Sequence, residues 1–481
     1  MQRRDFLRKT GLGAAALAVG FPTLGKSADA VFQALENSNA LRPNIVYILA
    51  DDLGWADVGY HGPDIKTPNI DKLAAAGTKL ESFYVLPVCT PTRSALMTGR
   101  YPVRYGRQFN VIRPGSQFGL SLEERLLPQA LREAGYATAI CGKWHLGDFQ
   151  PAYLPMARGF EHQYGFASHG EHFMHFPKKG EGLLRDQKPC DEEGYLTHLT
   201  ANEAIRLIGQ RDASKPLFLY VAFNAVHTPL ECPPEYSAPY AHLGPTRSIY
   251  AGMTAAMDED IGKILAAIKK SGMAANTLII FSSDNGGLTS KGKIASNAPL
   301  RGGKGSLYEG GVRVPACVTW PGHIPAGAVI KEPLHIVDWY PTLLKLAGAS
   351  LDQKQPLDGH DIWPTLTQGK PSPHEVILLN TVGRMGAIRM GDWKLIRNGK
   401  VDDEEEGGVK LSHEEKQKQR LARRDAPDVV ELFNLEQDIS EKNNLAEKQP
   451  DKVRELCARL DNFEKEAVPP ILNPKPSKSK R

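Results

Sequence analysis

Asp51-Asp52 follows the apolar run Asn44–Ala50, and Asp284-Asn285 follows the apolar run Thr277–Ser283. Adjacent carboxylates repel one another unless a cation lies between them. Three Asp and one Asn offer oxygen ligands only, which suits a hard divalent ion, Ca²⁺ or Mg²⁺, better than zinc. A single Asp pair serves a helix cap or a turn just as well; two acidic pairs, each at the end of an apolar strand, point to a metal. Gly142-Lys143-Trp144-His145 ends another strand region, the run 217–223 leads to His227, and Arg301-Gly302-Gly303-Lys304 sits in a glycine-rich loop. Singly, a Lys or Arg is usually a solvated charge. Two His, two Lys and an Arg together predict a cationic pocket for an anion, with imidazole ready for proton transfer near neutral pH. Cys89-Thr90-Pro91-Thr92-Arg93 precedes Ser94-Ala95-Leu96-Met97-Thr98-Gly99-Arg100. A helix from Thr92 onward puts Cys89 at its amino end, where the dipole favours anions. The plain alternative is a buried structural Cys, and a bare nucleophile would have to be a thiolate. His169, His172 and His175 invite a zinc assignment, but in a Gly-containing loop they fit a substrate-facing wall or plain surface equally well.

Positioning these groups requires strands that end together. Asn44–Ala50, Leu217–Phe223 and Thr277–Ser283 are continuous apolar runs, the mark of strands buried on both faces. Tyr136–Cys141 is a shorter strand. Helices are expected from Pro68, capped by Thr67 and ended by Gly77, and over 122–134 and 250–270. This alternation predicts an α/β domain with a large, mostly parallel sheet and helices on both faces. Sites in such sheets lie beyond the carboxyl ends of the strands. After about residue 375 the pattern changes to a hairpin over 386–396, a strand at 431–435 and an amphipathic helix over 452–466. The expected organisation is a catalytic domain at 42–375 and a small antiparallel subdomain with one helix at 376–468. A charged, solvated insertion is expected around 401–426, and a mobile basic tail at 469–481.

The chain has 481 residues, 41% hydrophobic and 24% charged, so a fibrous or largely disordered protein is excluded. Net charge is +4, of which the first 30 residues supply five basic and two acidic groups, leaving about +1 for the rest. That balance excludes a basic nucleic-acid-binding face. No apolar run reaches the roughly 18 residues of a membrane span. Arg3-Arg4 before an apolar stretch, Gly11–Phe21, and the small-residue site Ala28-Asp29-Ala30 read as a twin-arginine export signal over residues 1–30. Periplasmic or extracellular location in a bacterium, reached through the twin-arginine machinery, is the expectation. Cys89, Cys141, Cys190, Cys232, Cys317 and Cys457 are too few for a disulfide framework in so long a chain.

The stretch from Cys89 to Arg100 resembles the first signature of the sulfatase family, in which this Cys is oxidised to formylglycine. Gly135-Tyr136-Ala137-Thr138 leading to Gly142-Lys143-Trp144-His145-Leu146-Gly147 resembles the second. Gly54-Trp55, Asp57, Pro299-Leu300-Arg301, Glu309-Gly310-Gly311, Asp338-Trp339, Pro341-Thr342 and Leu357-Asp358-Gly359 fit as well, and the likeness runs over roughly 43–460. Within the family the chain looks most similar to arylsulfatase B. The resemblance implies an alkaline-phosphatase-like fold and hydrolysis of a sulfate ester, on a sulfated carbohydrate by inference. It implies one Ca²⁺ held by Asp51, Asp52, Asp284 and Asn285 with residue 89, and active-site roles for Arg93, Lys143, His145, His227 and Lys304. A formylglycine-generating maturation enzyme is the implied partner. Thr92 departs from the commoner Ser but keeps a hydroxyl, so conversion of Cys89 is expected to survive. The competing readings are a phosphatase or phosphodiesterase of the same superfamily and a silent carbohydrate-binding relative. The first usually carries two zinc ions and a Ser or Thr nucleophile; the second requires Cys89 to stay unmodified.

Overall fold

The computed structural model describes residues 42–471 apart from 110, 113–115, 168–175, 177–181, 290–293 and 400–426. The export signal over 1–30, His169, His172 and His175, the charged insertion, and tail residues 472–481 lie outside the described residues.

Ten strands form the main sheet, in the order β11 (Ala328–Ile330), β2 (Thr78–Leu80), β10 (Ala316–Thr319), β9 (Thr277–Ser283), β1 (Asn44–Ala50), β8 (Leu217–Ala222), β4 (Ala137–Gly142), β5 (His162–Gly165), β6 (Leu184–Arg185) and β7 (Lys188–Pro189). The central five, β9-β1-β8-β4-β5, are all parallel. Antiparallel pairings appear toward both edges, where β10 meets β9 and β2, and β6 meets β5 and β7. Alternate residues of β1 feed two cores. Ile45, Tyr47 and Leu49 pack with Leu127, Leu131, Trp339 and Leu343 on one face; Val46, Ile48 and Ala50 pack with Ala201, Ile208, Met257 and Ile261 on the other. This is why the strand reads as an unbroken apolar run rather than an alternating one.

Three helix boundaries differ from expectation. The helix at 122–134 is only Leu127–Glu133, because the Gln129 amide oxygen accepts from Leu126 N and starts the helix there, with 122–126 in turns. The helix at 250–270 begins earlier, at Pro245, whose ring needs no N–H partner in the first turn. The helix expected from Thr92 spans Cys89–Thr98 with Val88 as its flanking extended residue, so Cys89 is its first residue.

The carboxyl-terminal part is the expected antiparallel sheet, β13 (Ile377–Val382), β14 (Met385–Met390), β15 (Trp393–Arg397) and β16 (Val430–Asn434), with the helix Pro450–Lys465. A two-stranded parallel pair, β3 (Phe83–Tyr84) with β12 (Leu334–His335), completes the strands. The small sheet docks through buried charge. Lys394 Nζ on β15 lies 2.9 Å from Glu309 Oε1 and 2.8 Å from Glu441 Oε1, all three side chains buried. Tyr84 Oη donates to Glu309 Oε2 (2.8 Å), and Arg389 donates to Tyr84 Oη (2.5 Å). Glu309, in the Glu309-Gly310-Gly311 stretch noted in the sequence, is thus the junction residue, and on the other side Gly310 packs so closely that a Cβ on Gly286 would lie 1.7 Å from its carbonyl. Removing one member of a buried ion network costs about 3–5 kcal/mol, because the other charges stay buried and uncompensated. Lys394→Met is therefore expected to lower unfolding free energy by about that amount in denaturant titration, and a loss below about 1 kcal/mol would show that the network relaxes. Of the tail expected to be mobile from 469, the described residues are held instead: the 468–471 stretch is tied to the 103–108 segment by Val468 N to Val103 O (2.8 Å), Ile471 N to Gly106 O (3.0 Å) and Gln108 Nε2 to Val468 O (2.7 Å).

Candidate active site

The carboxyl ends of β1, β4, β8 and β9 deliver Asp51-Asp52, Lys143, His227 and Asp284-Asn285 to one buried cluster, and His145 is buried two residues beyond Lys143. Three carboxylates meet three cations there. Lys143 Nζ donates to Asp51 Oδ2 (2.5 Å) and Lys304 Nζ to Asp52 Oδ2 (2.7 Å). Arg93 places Nε and Nη2 on Asp284 Oδ2 at 3.0 and 2.8 Å, and its Nη2 lies 3.4 Å from Asp51 Oδ2. Asp52 N donates to Asp284 Oδ1 (3.2 Å) and Asn285 Nδ2 to Asp52 Oδ1 (2.8 Å). Asp52 and His145 hold positive φ, +62° and +63°, a conformation that costs a non-glycine residue energy and collects at functional sites. Gly142 answers to a closer constraint: a Cβ there would lie 1.9 Å from Ala222 O, so the strand end carrying Lys143 could not pass.

Burial would raise the Asp51 carboxyl, but Lys143, His227, Arg93 and Lys304 hold it well below the usual carboxylate range. Burial and the Asp51 charge push Asp284 up, to about 7. Burial lowers His227 to about 4, with Lys304 acting in the same direction. Its Nδ1 is 2.6 Å from Thr228 O, an acceptor, so Nδ1 carries the proton and Nε2 faces Asp52 Oδ2 at 3.6 Å. His145 has the opposite tautomer, with Nε2 donating to Ile112 O (3.1 Å). The Cys89 thiol is raised by burial, against which Lys143 and Lys304 act, while Asp51 and Asp284 raise it further. All six cysteines are unpaired.

The donor set fits a hard cation. Asp51 Oδ1 and Asn285 Oδ1 are buried oxygens with no hydrogen-bond partner among the described residues, a costly state that a cation would relieve. Ligand atoms of Asp51, Asp52 and His227 lie within 4.8 Å of one another. The expected acidic pairs are therefore brought together, with both lysines and Arg93. Arg301 is not: it stacks over Tyr308 at 3.8 Å and bonds Glu441 O (3.0 Å), turned toward the small sheet. Thr92 Oγ1 is taken up by Leu86, accepting from its N and donating to its O, both at 3.0 Å. Reading the sequence missed Tyr250, which bridges Gly54 N and Asp52 O, and Asn297, whose amide ties Trp55, Gly287 and Gly302. Nothing local marks the first; the second precedes the noted Pro299-Leu300-Arg301.

The protein-family model described as Sulfatase matches residues 43–349. The chain is 38% identical to Arylsulfatase J of Mus musculus over 471 residues, covering 91% of this chain and 78% of that protein. It is 35% identical to N-acetylgalactosamine-6-sulfatase of Mus musculus, covering 73% and 71%. Among solved structures, Ps i-CgsB in complex with k-i-k-neocarrahexaose is similar with a TM-score of 0.78 at 35% identity, over 90% of this chain and 95% of that one. The curated relatives are mammalian, which contradicts the bacterial periplasmic or extracellular location expected from the amino-terminal segment, and that location is not retained.

Proposed function

Since this chain belongs to the sulfatase family, whose members hydrolyse sulfuric esters, we propose that it removes sulfate from a sulfated carbohydrate, using formylglycine made from Cys89 beside one Ca²⁺. The observation that carries this reading is the buried cluster in which Asp51, Asp52 and Asp284 face Lys143, Lys304 and Arg93, with two oxygens left unpartnered. Three negative and three positive groups balance, so a divalent cation turns a neutral pocket into one that attracts an anion. Asp51, Asp52, Asp284 and Asn285 would hold that ion together with residue 89, and bound there it would supply Lewis acidity toward the attacking oxygen and the sulfuryl group. Once water has added to the aldehyde of matured residue 89, that carbon carries two hydroxyls, one to attack sulfur and one whose deprotonation expels sulfate and re-forms the aldehyde, which water hydrates again. A maturation enzyme that oxidises Cys89 is the implied partner. A carbohydrate substrate is supported by the printed names of N-acetylgalactosamine-6-sulfatase and of the neocarrahexaose complex.

The chain's own groups divide the remaining work. Lys143, Lys304 and Arg93 offset charge that grows on the sulfuryl oxygens. His145, protonated on Nε2, presents Nδ1 as the basic nitrogen that takes the proton when sulfate leaves. His227 has its Nδ1–H committed to Thr228 O, so Nε2 is the atom that exchanges a proton with the leaving alcohol, after first taking one up, since burial keeps it unprotonated. The domain limits, 42–375 for catalysis and 376–468 for the small sheet, are part of the same proposal.

Release of free sulfate from a panel of sulfated mono- and oligosaccharides tests the activity and identifies the alcohol. His227→Ala separates the acid role from simple binding. Alkyl alcohols leave poorly without a proton, whereas an activated phenol needs little help. The variant is expected to lose about 10²–10⁴-fold in kcat on a sugar sulfate and much less on an activated aryl sulfate. Equal losses on both would assign His227 to binding only.

A further inference from the structure

Arg301 stands outside the anion pocket, but it opens the loop that carries Lys304 into it. Lys304 Nζ meets Asp52 Oδ2 at 2.7 Å. The loop runs from Arg301 to Glu309, and Gly310 N closes it by donating to Arg301 O (2.8 Å). Within it Ser306 N donates to Gly303 O (2.9 Å); toward its surroundings Lys304 N donates to Gly287 O (3.2 Å) and Gly305 N to Pro87 O (2.8 Å). Gly310 and Gly311 press against the same loop. A Cβ on Gly310 would lie 2.5 Å from Gly302 O, and one on Gly311 would lie 2.1 Å from Ser306 O and 2.6 Å from Gly303 O. Packing this close passes a displacement on rather than absorbing it.

One residue of the carboxyl-terminal part holds both ends of this loop. Glu441, beyond β16, is fully buried and has φ +51°, a conformation its surroundings must enforce. Its carbonyl accepts from Arg301 Nη1 (3.0 Å) at the loop's first residue, and its Oε2 accepts from Glu309 N (2.7 Å) at the last. Lys394 Nζ, 2.8 Å from Glu441 Oε1, fixes that carboxylate. Glu431, on β16 itself, repeats the pattern: it accepts from Tyr308 Oη (2.6 Å) and lies 3.4 Å from Arg301 Nη1, while the Arg301 guanidinium covers the Tyr308 ring at 3.8 Å. Docking the small sheet needs only the Lys394, Glu309 and Glu441 charges. The Arg301 side chain is 39% exposed, and an exposed pair adds little to stability, so its contacts call for another purpose.

We propose that Arg301 and Glu441 are positioning residues for Lys304: clasping both ends of the 301–309 loop from the small sheet, they set where the Lys304 ammonium stands. The inference rests on the reading of Lys304 as a cation that offsets charge on the sulfuryl oxygens. It gives the carboxyl-terminal sheet a part in catalysis beside its part in stability. Neither residue touches the substrate. A freed loop end lets the ammonium leave its place, and the help a fixed charge gives the transition state falls steeply once that charge can move.

The test measures kcat/KM on an activated aryl sulfate, with full-length protein whose residue 89 is verified as converted. Arg301→Met is expected to lose about tenfold, with Tm nearly unchanged because an exposed pair contributes little to stability. Glu441→Ala frees both loop ends and is expected to lose about a hundredfold. Arg301→Lys, which can still donate to Glu441 O, should recover most of the Arg301→Met loss. Lys304→Met is expected to lose about 10²–10³-fold, the usual cost of one donor at a developing charge. In that background Arg301→Met should cost less than about twofold more, since the cation it places is gone. Losses that multiply in the double variant, or wild-type kcat/KM in Arg301→Met, would overturn the proposal. Should Glu441→Ala fail to fold, the Arg301 series decides alone. Lys304→Met tells the two claims apart. Near wild-type turnover there rejects the role given to Lys304, whereas a large loss there with none in Arg301→Met rejects the clasp alone.

Discussion

Cys89→Ser, made in a host that converts only Cys and checked by mass to carry plain serine, is expected to release at most one alcohol per enzyme and then stop. Serine puts one hydroxyl on the first residue of the helix Cys89–Thr98, within the same field of Lys143, Lys304 and Arg93. That oxygen can attack sulfur, the bond from sulfur to the leaving oxygen breaks, and the alcohol departs with a proton. The resulting seryl sulfate has no second hydroxyl on its carbon, so His145 finds no proton to remove and sulfate cannot be expelled. Only slow attack by outside water remains. A serine peptide heavier by one sulfate and a stoichiometric burst are the two observables. Sustained turnover by the verified serine enzyme would replace the formylglycine mechanism with a phosphatase-like one.

Asp284→Ala is the second large effect. Asp284 accepts two bonds from Arg93 and one from the Asp52 amide, and in the proposed site it is also a metal ligand. Without it the ligand set falls further short of the six to eight oxygens that calcium prefers, and Arg93 loses both bonds to that carboxylate, keeping its 3.4 Å contact to Asp51 and its bond to Lys143 O (3.1 Å). Sulfate-ester turnover is expected to fall at least about a hundredfold, since even indirect partners of a metal cost 10–100-fold. The rise in Tm that calcium gives the chelator-treated wild type should vanish, as a ligand that no longer binds the native state no longer stabilises it. Asp284→Asn, which keeps the shape and a carbonyl oxygen while losing the charge, guards against a variant that merely fails to fold. Near wild-type activity and calcium response in Asp284→Asn would show that this carboxylate is not needed for the metal.

What the sequence could disclose follows from which interactions are local. The β1 and β9 runs and the acidic pairs behind them were readable because a doubly buried strand is apolar at every position, so a sudden Asp-Asp marks the strand's end. Lys143, His145 and His227 were readable by the same logic from β4 and β8. Arg301 was misplaced because a loop's Gly-rich composition does not say which of its charges turns inward; Lys304 does and Arg301 does not. The helix before Gly135 was drawn too long because apolar spacing continues through 122–126, while Gln129 capping Leu126 decides where it starts. Ile112 meets His145 Nε2 through its backbone carbonyl, a contact that leaves no mark in residue type or spacing. The Lys394–Glu309–Glu441 junction joins residues far apart in the chain, and only the docked sheet reveals it.

The central claim is that Cys89 does its work as formylglycine. The direct measurement is the mass of the peptide carrying residue 89, taken on preparations of graded specific activity from hosts with and without a maturation system. The account predicts a fraction of peptide lighter by the difference between a thiol and an aldehyde, with sulfate-ester turnover proportional to that fraction and absent where it is zero. Full turnover from protein in which residue 89 is entirely cysteine would contradict it.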